Sequence, residues 1–242
     1  SGIARRIRTI GDKTVEFENW REYVLKELGE IYLLCRIILS NSDIDSPDIQ
    51  QILGLVRRKS SIEEDQNLGI YDHWIYIGSK SSVEEKMLMF RHWFVGQESK
   101  KKALYIEYIF NKFNRPRIFE LGKSYPGRIF FYPSKVPQRV TNIPNSPLLL
   151  PSDYEFQTES IPQFLDRYTN SIVEFPWLNY NVVILSNFQL QEVQNKFYLV
   201  DQKNEAIFIH LENDKIWRFK ALSMDPQFKI VADYKNRILE PI

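Results

Sequence analysis

The sequence is nearly without cysteine. A single residue, Cys35, permits no internal disulfide and fits a reducing compartment. Histidine is scarce too. His73, His92 and His210 have no His or Cys at ligand spacing, so no metal site is expected within the chain. The nine glycines are scattered, and "ELGKSYPG" (120–127) lacks the upstream glycine of a phosphate loop, so Lys123-Ser124 reads as a turn. No Gly-x-Ser-x-Gly is present, and Cys35 falls on an apolar helical stripe where burial would leave it inert. No run approaches the ~20 apolar residues of a membrane span, and no apolar core follows Arg5, Arg6 and Arg8. Lys+Arg (32) almost equals Asp+Glu (31), which removes any global pull toward nucleic acid or an anionic membrane. These features point to a soluble, cytoplasmic protein.

Acidic clusters offer little more. "NSDIDSPD" (41–48) carries Asp43, Asp45 and Asp48. Counted from Asn41, a calcium loop would need glycine where Ser46 stands and a bidentate acid where Ile52 stands. A helix cap with acids near its N-terminus suffices. Glu63-Glu64-Asp65 and Glu84-Glu85 read as solvated, loop-like polar segments.

What is present is a globular composition with 14% aromatic residues, a bias that favours strands. Residues 1–60 nevertheless carry the helix period. Ile3, Ile7 and Ile10 share a face, and Phe17, Trp20, Val24, Leu28, Ile31, Cys35 and Ile38 follow at spacings of three and four. Leu25, Tyr32 and Leu39 widen that stripe, predicting a well-buried helix. Ser46 and Pro47 then open a second helix of about a dozen residues. From residue 70 the period is two: "DHWIYIGSK", "KMLMFRHWFVG", "KKALYIEYIF", "GRIFFYP" and "QRVTNI" form a first antiparallel β-module, 70–143. A proline-rich linker follows at 144–176 (Pro144, Pro147, Pro151, Pro162), with a short helix capped by Ser160. "NVVILSNFQLQEV", "KFYLVDQ", "EAIFIHL", "IWRFKALS" and "FKIVADY" then predict a second antiparallel module, 177–242. The fold class is α+β: an N-terminal helical segment followed by two small β-modules. Residues 92–108 and 128–138 echo 196–211 and 218–227 in the same order, which suggests duplication; the competing reading is that any two hairpins look alike.

The binding candidates lie in the first module. Trp93, Tyr132, Arg128, Arg139 and Lys101 combine aromatics with cations on strand-like segments, the composition that stacks bases and contacts phosphates. Alternatively the aromatics face the core and Lys100–Lys102 merely solubilise a hairpin. In "RIFFYPSKVPQRV" (128–140), Ile129 and Phe131 alternate with Phe130 and Tyr132, a strand apolar on both faces. Pro133 ends its pairing, and "PSKVP" is a turn. A third possibility is an enzyme site built from Glu107, Asp201, His210 and Arg128.

A family resemblance spans nearly the whole chain. It is carried by "SGIARRIR", "LKELGEIYLLCRII", "PDIQQILG", "DHWIYIG", "FRHWFVGQESKKKALYIEY", "FYPSKVPQR", "YLVDQKNEAIFIH", "RFKALS" and "ILEPI". These resemble the region downstream of the zinc finger in bacterial SWIM zinc-finger family proteins. The resemblance implies a Cys-x-Cys…Cys-x-His finger lying upstream of a chain that is a fragment of something longer, so zinc is not assigned to any residue here. It also implies a non-catalytic interaction or scaffold region whose protein partners are MoxR-type ATPases and von Willebrand A-domain proteins. A nucleic-acid-binding β-module is the alternative.

Overall fold

The chain's structure is a computed structural model that describes residues 20–40, 46–53, 57–84, 87–110, 115–150, 154–178, 180–225, 227–235 and 237–242. The expected helix around Ile3, Ile7 and Ile10, the stripe residue Phe17, and Asp43, Asp45 and Pro151 lie outside the described residues. The fold is α+β, with helices ahead of two mixed, mostly antiparallel sheets. It divides into two compact units, Ser1–Arg58 with Pro133–Lys135, and Lys59–Tyr132 with Val136–Ile242. Among the described residues no helix is long and apolar enough to cross a membrane.

The first unit contains α1 (Trp20–Leu39) and α2 (Pro47–Leu53). Helix α1 forms where the period predicts, but its stripe is not well buried. Leu34 is 2% exposed, whereas Leu25, Leu28, Tyr32, Leu33, Cys35 and Leu39 face outward. With leucines on several sides, the helix carries more apolar surface than one neighbour can cover. Cys35 is therefore an exposed thiol rather than a core residue. Helix α2 starts at Pro47, as its proline predicts, and is described for seven residues. Its Asp48 is buried and accepts hydrogen bonds from the Ser134 hydroxyl (2.6 Å) and the Lys135 amide (3.1 Å). That carboxylate ties the helix start to the Pro133–Lys135 segment.

The second unit opens with α3 (Lys59–Glu64) and a 3-10 turn (Gln66–Leu68) capped by Asp65. The acidic run expected as a loop is thus helical, anchored by the buried Ile62. Sheet A comprises β1 (Gly69–Glu84), β2 (Met87–Gly96), β3 (Lys102–Ile109), β4 (Ser124–Phe130) and β5 (Arg139–Val140), in the order β4-β1-β2-β3-β5. Strand β1 bulges between Tyr76 and Gly78. Gly78 has φ +141°, and a Cβ there would lie 2.6 Å from the Ile242 side chain, so position 78 needs glycine for both backbone and packing. Helix α4 (Ile161–Glu174) follows, with the predicted Ser160 cap completed by Gln163 into a capping box. Sheet B contains β6 (Val182–Leu185), β7 (Phe188–Val193), β8 (Lys196–Asp201), β9 (Ala206–Ile209), β10 (Ile230–Lys235) and β11 (Ile238–Pro241), in the order β6-β10-β11-β9-β8-β7. The run expected as one strand, "NVVILSNFQLQEV", breaks into β6 and β7 at Asn187, which has φ 58°. "IWRFKALS", expected as a strand, is helix α5 (Ile216–Leu222), because Ile216 and Phe219 keep the helical spacing and pack inward on sheet B.

The two sheets share a core. Ile75, Ile77, Trp93, Val95 and Leu104 of sheet A pack with Val182 and Ile184 of β6. Val183 and Leu185 point the other way, into the core beneath α4 and α5. Strand β6 is therefore buried on both faces, as a continuous apolar run requires. The proposed duplication matches only the hairpins β2–β3 and β8–β9. The segment after the first is strand β4, the segment after the second is helix α5, and the strand orders differ.

Candidate functional site

The five sequence-predicted residues do not form one surface. Trp93 is 0% exposed and lies in the inter-sheet core, edge-on to Tyr180, so it is unavailable for base stacking. Its alternation partners Arg91 and Val95 share that inward face. Arg128 is exposed on β4 and donates to the Gln66 side chain at 2.5 Å. Arg139 lies over the Tyr132 ring at 4.8 Å, covering one face of it. Lys101 is exposed beside the β2–β3 turn, 6.0 Å from the Phe131 ring centre. In "RIFFYP", Ile129 and Phe131 are buried while Phe130 and Tyr132 are half-buried, so one face is core and the other only partly covered. Tyr132 donates its amide to Arg139 at 2.9 Å, which closes the turn between them.

The catalytic set Glu107, Asp201, His210 and Arg128 disperses. Glu107 accepts from the Arg117 amide, Asp201 caps its own turn through the Lys203 and Glu205 amides at 2.8 Å, and His210 is exposed after β9.

What converges instead is a polar knot between the sheets. The Lys102 ammonium on β3 donates to Glu159 (2.8 Å) and to the Val182 carbonyl (3.0 Å). Arg167 of α4 grips the same carboxylate through Nε (2.5 Å) and a terminal nitrogen (3.0 Å), and donates to the Asn181 side-chain oxygen (3.0 Å). Asn181 in turn donates its amide to the buried Asp233 of β10. Burial, with the Arg167 charge beside it, pushes the Lys102 ammonium down to about 8, against the pull of Glu159. Burial also works to raise the Glu159 carboxyl, but hydrogen bonds from Arg167 and Lys102 overcome it and hold the group below its ordinary range. One carboxylate thus bridges two cations, fully balancing only one of them, and keys β3, α4 and β6 together. Lys80 and Glu240 form a second ion pair between the sheets. Lys102 was visible in principle: it shares strand phase with Leu104, whose side chain faces the inter-sheet core.

On the other face of sheet A, His92 is enclosed by Tyr76, Phe119 and Tyr105. Burial, helped by Arg117, lowers its pKa to about 4, so the ring is neutral near pH 7. At the β2–β3 turn the buried Asp72 accepts amide hydrogen bonds from His73, Glu98 and Ser99. These groups are structural anchors for a hairpin.

Sheet B presents the more accessible features. Strand β7 is one of its two edge strands, and among the described residues no strand pairs with its outer edge. Along β7, Phe188 and Leu190 are half-buried while Gln189, Gln191, Glu192 and Val193 are exposed. Beside it lies an open basin of about 980 Å³ lined by Phe188, Leu190, Lys220 and Met224. Helix α5 flanks this basin and projects Trp217 (78% exposed), with Met224 (85% exposed) just beyond its end. On its opposite side α5 borders a second, apolar cleft. No family model, curated protein or solved structure matches the chain.

Proposed function

We propose that the chain is a non-catalytic protein-interaction region of a bacterial SWIM zinc-finger protein, working in the cytoplasm with MoxR-type ATPase and von Willebrand A-domain partners. The observation that supports an interaction role is the open edge of β7 beside its basin. An unpaired edge offers backbone donors and acceptors to an extended peptide, and alternate side chains of that peptide fill the adjoining hollow. Phe188, Leu190 and Met224 supply the apolar floor, and the exposed Trp217, whose ring is covered by the basin residue Lys220, offers an aromatic anchor. Strand β7 pairs with β8 along its whole length, which holds the edge extended and lowers the ordering cost of binding.

The test is a titration of the intact chain with a purified MoxR-type ATPase and a von Willebrand A-domain protein from the same genome. Saturable binding to either is expected, and Gln189→Lys/Gln191→Lys, which charges the edge, weakens it roughly tenfold or more. Absence of binding at micromolar concentrations to both proteins overturns the reading. Salt-sensitive binding of single-stranded DNA in their place would favour the nucleic-acid alternative.

A further inference from the structure

Helix α5 separates two hollows of unlike chemistry. The second is a cleft of about 550 Å³ where β1, β6, α5 and the last strand of sheet B meet. Its walls are almost wholly apolar, and Ile77, Phe156, Ile184 and Phe228, from four separate segments, converge on this one space. The volume lies within the range of small-molecule sites. Phe228 is wedged against Phe219 at a ring separation of 5.5 Å and an interplanar angle of 82°, so the α5 wall is fixed by packing rather than by a loop alone.

The mouth of this cleft is cationic. Lys215, Arg218 and Lys229 line it, and no acidic side chain among the described residues does. Lys215 is already bound to Glu212 at 2.5 Å. Arg218 and Lys229 are exposed and make no ion pair among the described residues. Lys220, on α5, reaches Glu192 at 2.7 Å, whereas Arg218 on α5 and Lys229 beyond its end have no carboxylate within ion-pair distance among the described residues. An apolar pocket lined by two cations that have no ion-pair partner among the described residues is complementary to one class of molecule: an apolar body ending in a single anionic head.

We propose that the cleft binds a free amphipathic monocarboxylate of medium chain length, its hydrocarbon against Ile77, Phe156 and Ile184 and its carboxylate between Arg218 and Lys229. The walls supply affinity through buried apolar area, and the cations supply orientation and select the anion over the neutral analogue. A concave cleft of about 550 Å³ favours a free monomer over a bilayer surface. This site is independent of the β7 edge, because Arg218 and Phe219 face the cleft while Lys220 and Met224 face the basin.

Calorimetric titration of the intact protein with decanoate, below its micellar threshold, tests this. Saturable binding with a stoichiometry of one is expected, with decanol and acetate each weaker by about tenfold or more, since each lacks one half of the recognition. Arg218→Ala/Lys229→Ala, at two exposed positions, weakens decanoate about tenfold and leaves decanol unchanged. Leu222→Glu sets a carboxylate in the lining and abolishes decanoate binding, while unchanged thermal unfolding shows the fold intact. No saturable decanoate binding overturns the proposal. So does equal binding of decanoate and decanol, an unaffected double variant, or binding confined to vesicles containing anionic lipid. None of these outcomes bears on capture of protein partners at β7.

Discussion

The two sheets solve the same covering problem with different materials. The outer face of sheet A is covered mainly by irregular chain, and its core there is aromatic: Trp74, Tyr76, Phe94, Phe119, Tyr125 and Phe131. Sheet B is covered by α4 and α5, and its core is mostly aliphatic, with Val183, Leu185, Leu199, Ile207, Ile209 and Leu239 joined by Phe164 and Phe219 from the helices and Phe197 and Tyr234 from the strands. A helix presents a regular stripe that branched side chains can meet layer by layer. An irregular segment places fewer side chains per turn of chain, so large rings in edge-to-face contact span the gaps. Phe119 alone meets Phe94 at 86° and Tyr125 at 82°.

This comparison can be broken by mutation. Phe164→Ala removes a fully buried ring from a rigid helical cover and should cost about 4–5 kcal/mol in urea unfolding. Phe119→Ala should cost about 3 kcal/mol, because the irregular cover collapses further into the space. A reversed order would show that the loop cover is the stiffer of the two. The link between the sheets comes next. Glu159→Gln leaves Lys102 and Arg167 side by side without a carboxylate and should cost about 3 kcal/mol. Lys102→Met keeps the Arg167–Glu159 pair balanced, so its cost should be clearly smaller; equal costs would rule out charge balance as the knot's contribution.

Protonation sharpens the contrast further. His92 in sheet A has a folded pKa of about 4, below its ordinary 6.5, so its contribution is present above 6.5 and is lost as pH falls toward 4. Lys102, at about 8 against 10.5, makes stability rise as pH climbs through that interval, since the folded form releases its proton first. Unfolding curves measured across both windows should lose the acid limb in His92→Phe and the alkaline limb in Lys102→Met. The smallest effect is expected at Arg139→Ala, which removes one half-exposed cation–ring contact and should change stability by less than about 1 kcal/mol.

Much of the fold was legible in the sequence where a local rule governs it. Alternation located β1, β2 and β3, and the Ser160–Gln163 pair located the start of α4. Helix α5 was misread because aromatic content suggested a strand, although Ile216 and Phe219 kept helical spacing. The candidate sites were less visible. Trp93 looks like a surface aromatic only until β6, some ninety residues later, covers it. The knot and the cleft each join segments far apart in the chain, and periodicity carries no information about which segments meet. An open edge such as that of β7 is likewise a property of strand order, which no single strand encodes.

The Gly78 bulge has a consequence for synthesis. The space it leaves is filled by Ile242, and the neighbouring Lys80 finds Glu240, 160 residues onward. During translation β1 and its hairpin partners emerge long before the chain that closes them. Their inter-sheet face, including Ile75, Ile77 and Trp93, stays uncovered over that interval. Folding of the second unit is therefore set by its latest contacts rather than its earliest hairpins, which favours slow completion and a need for protection of the nascent chain.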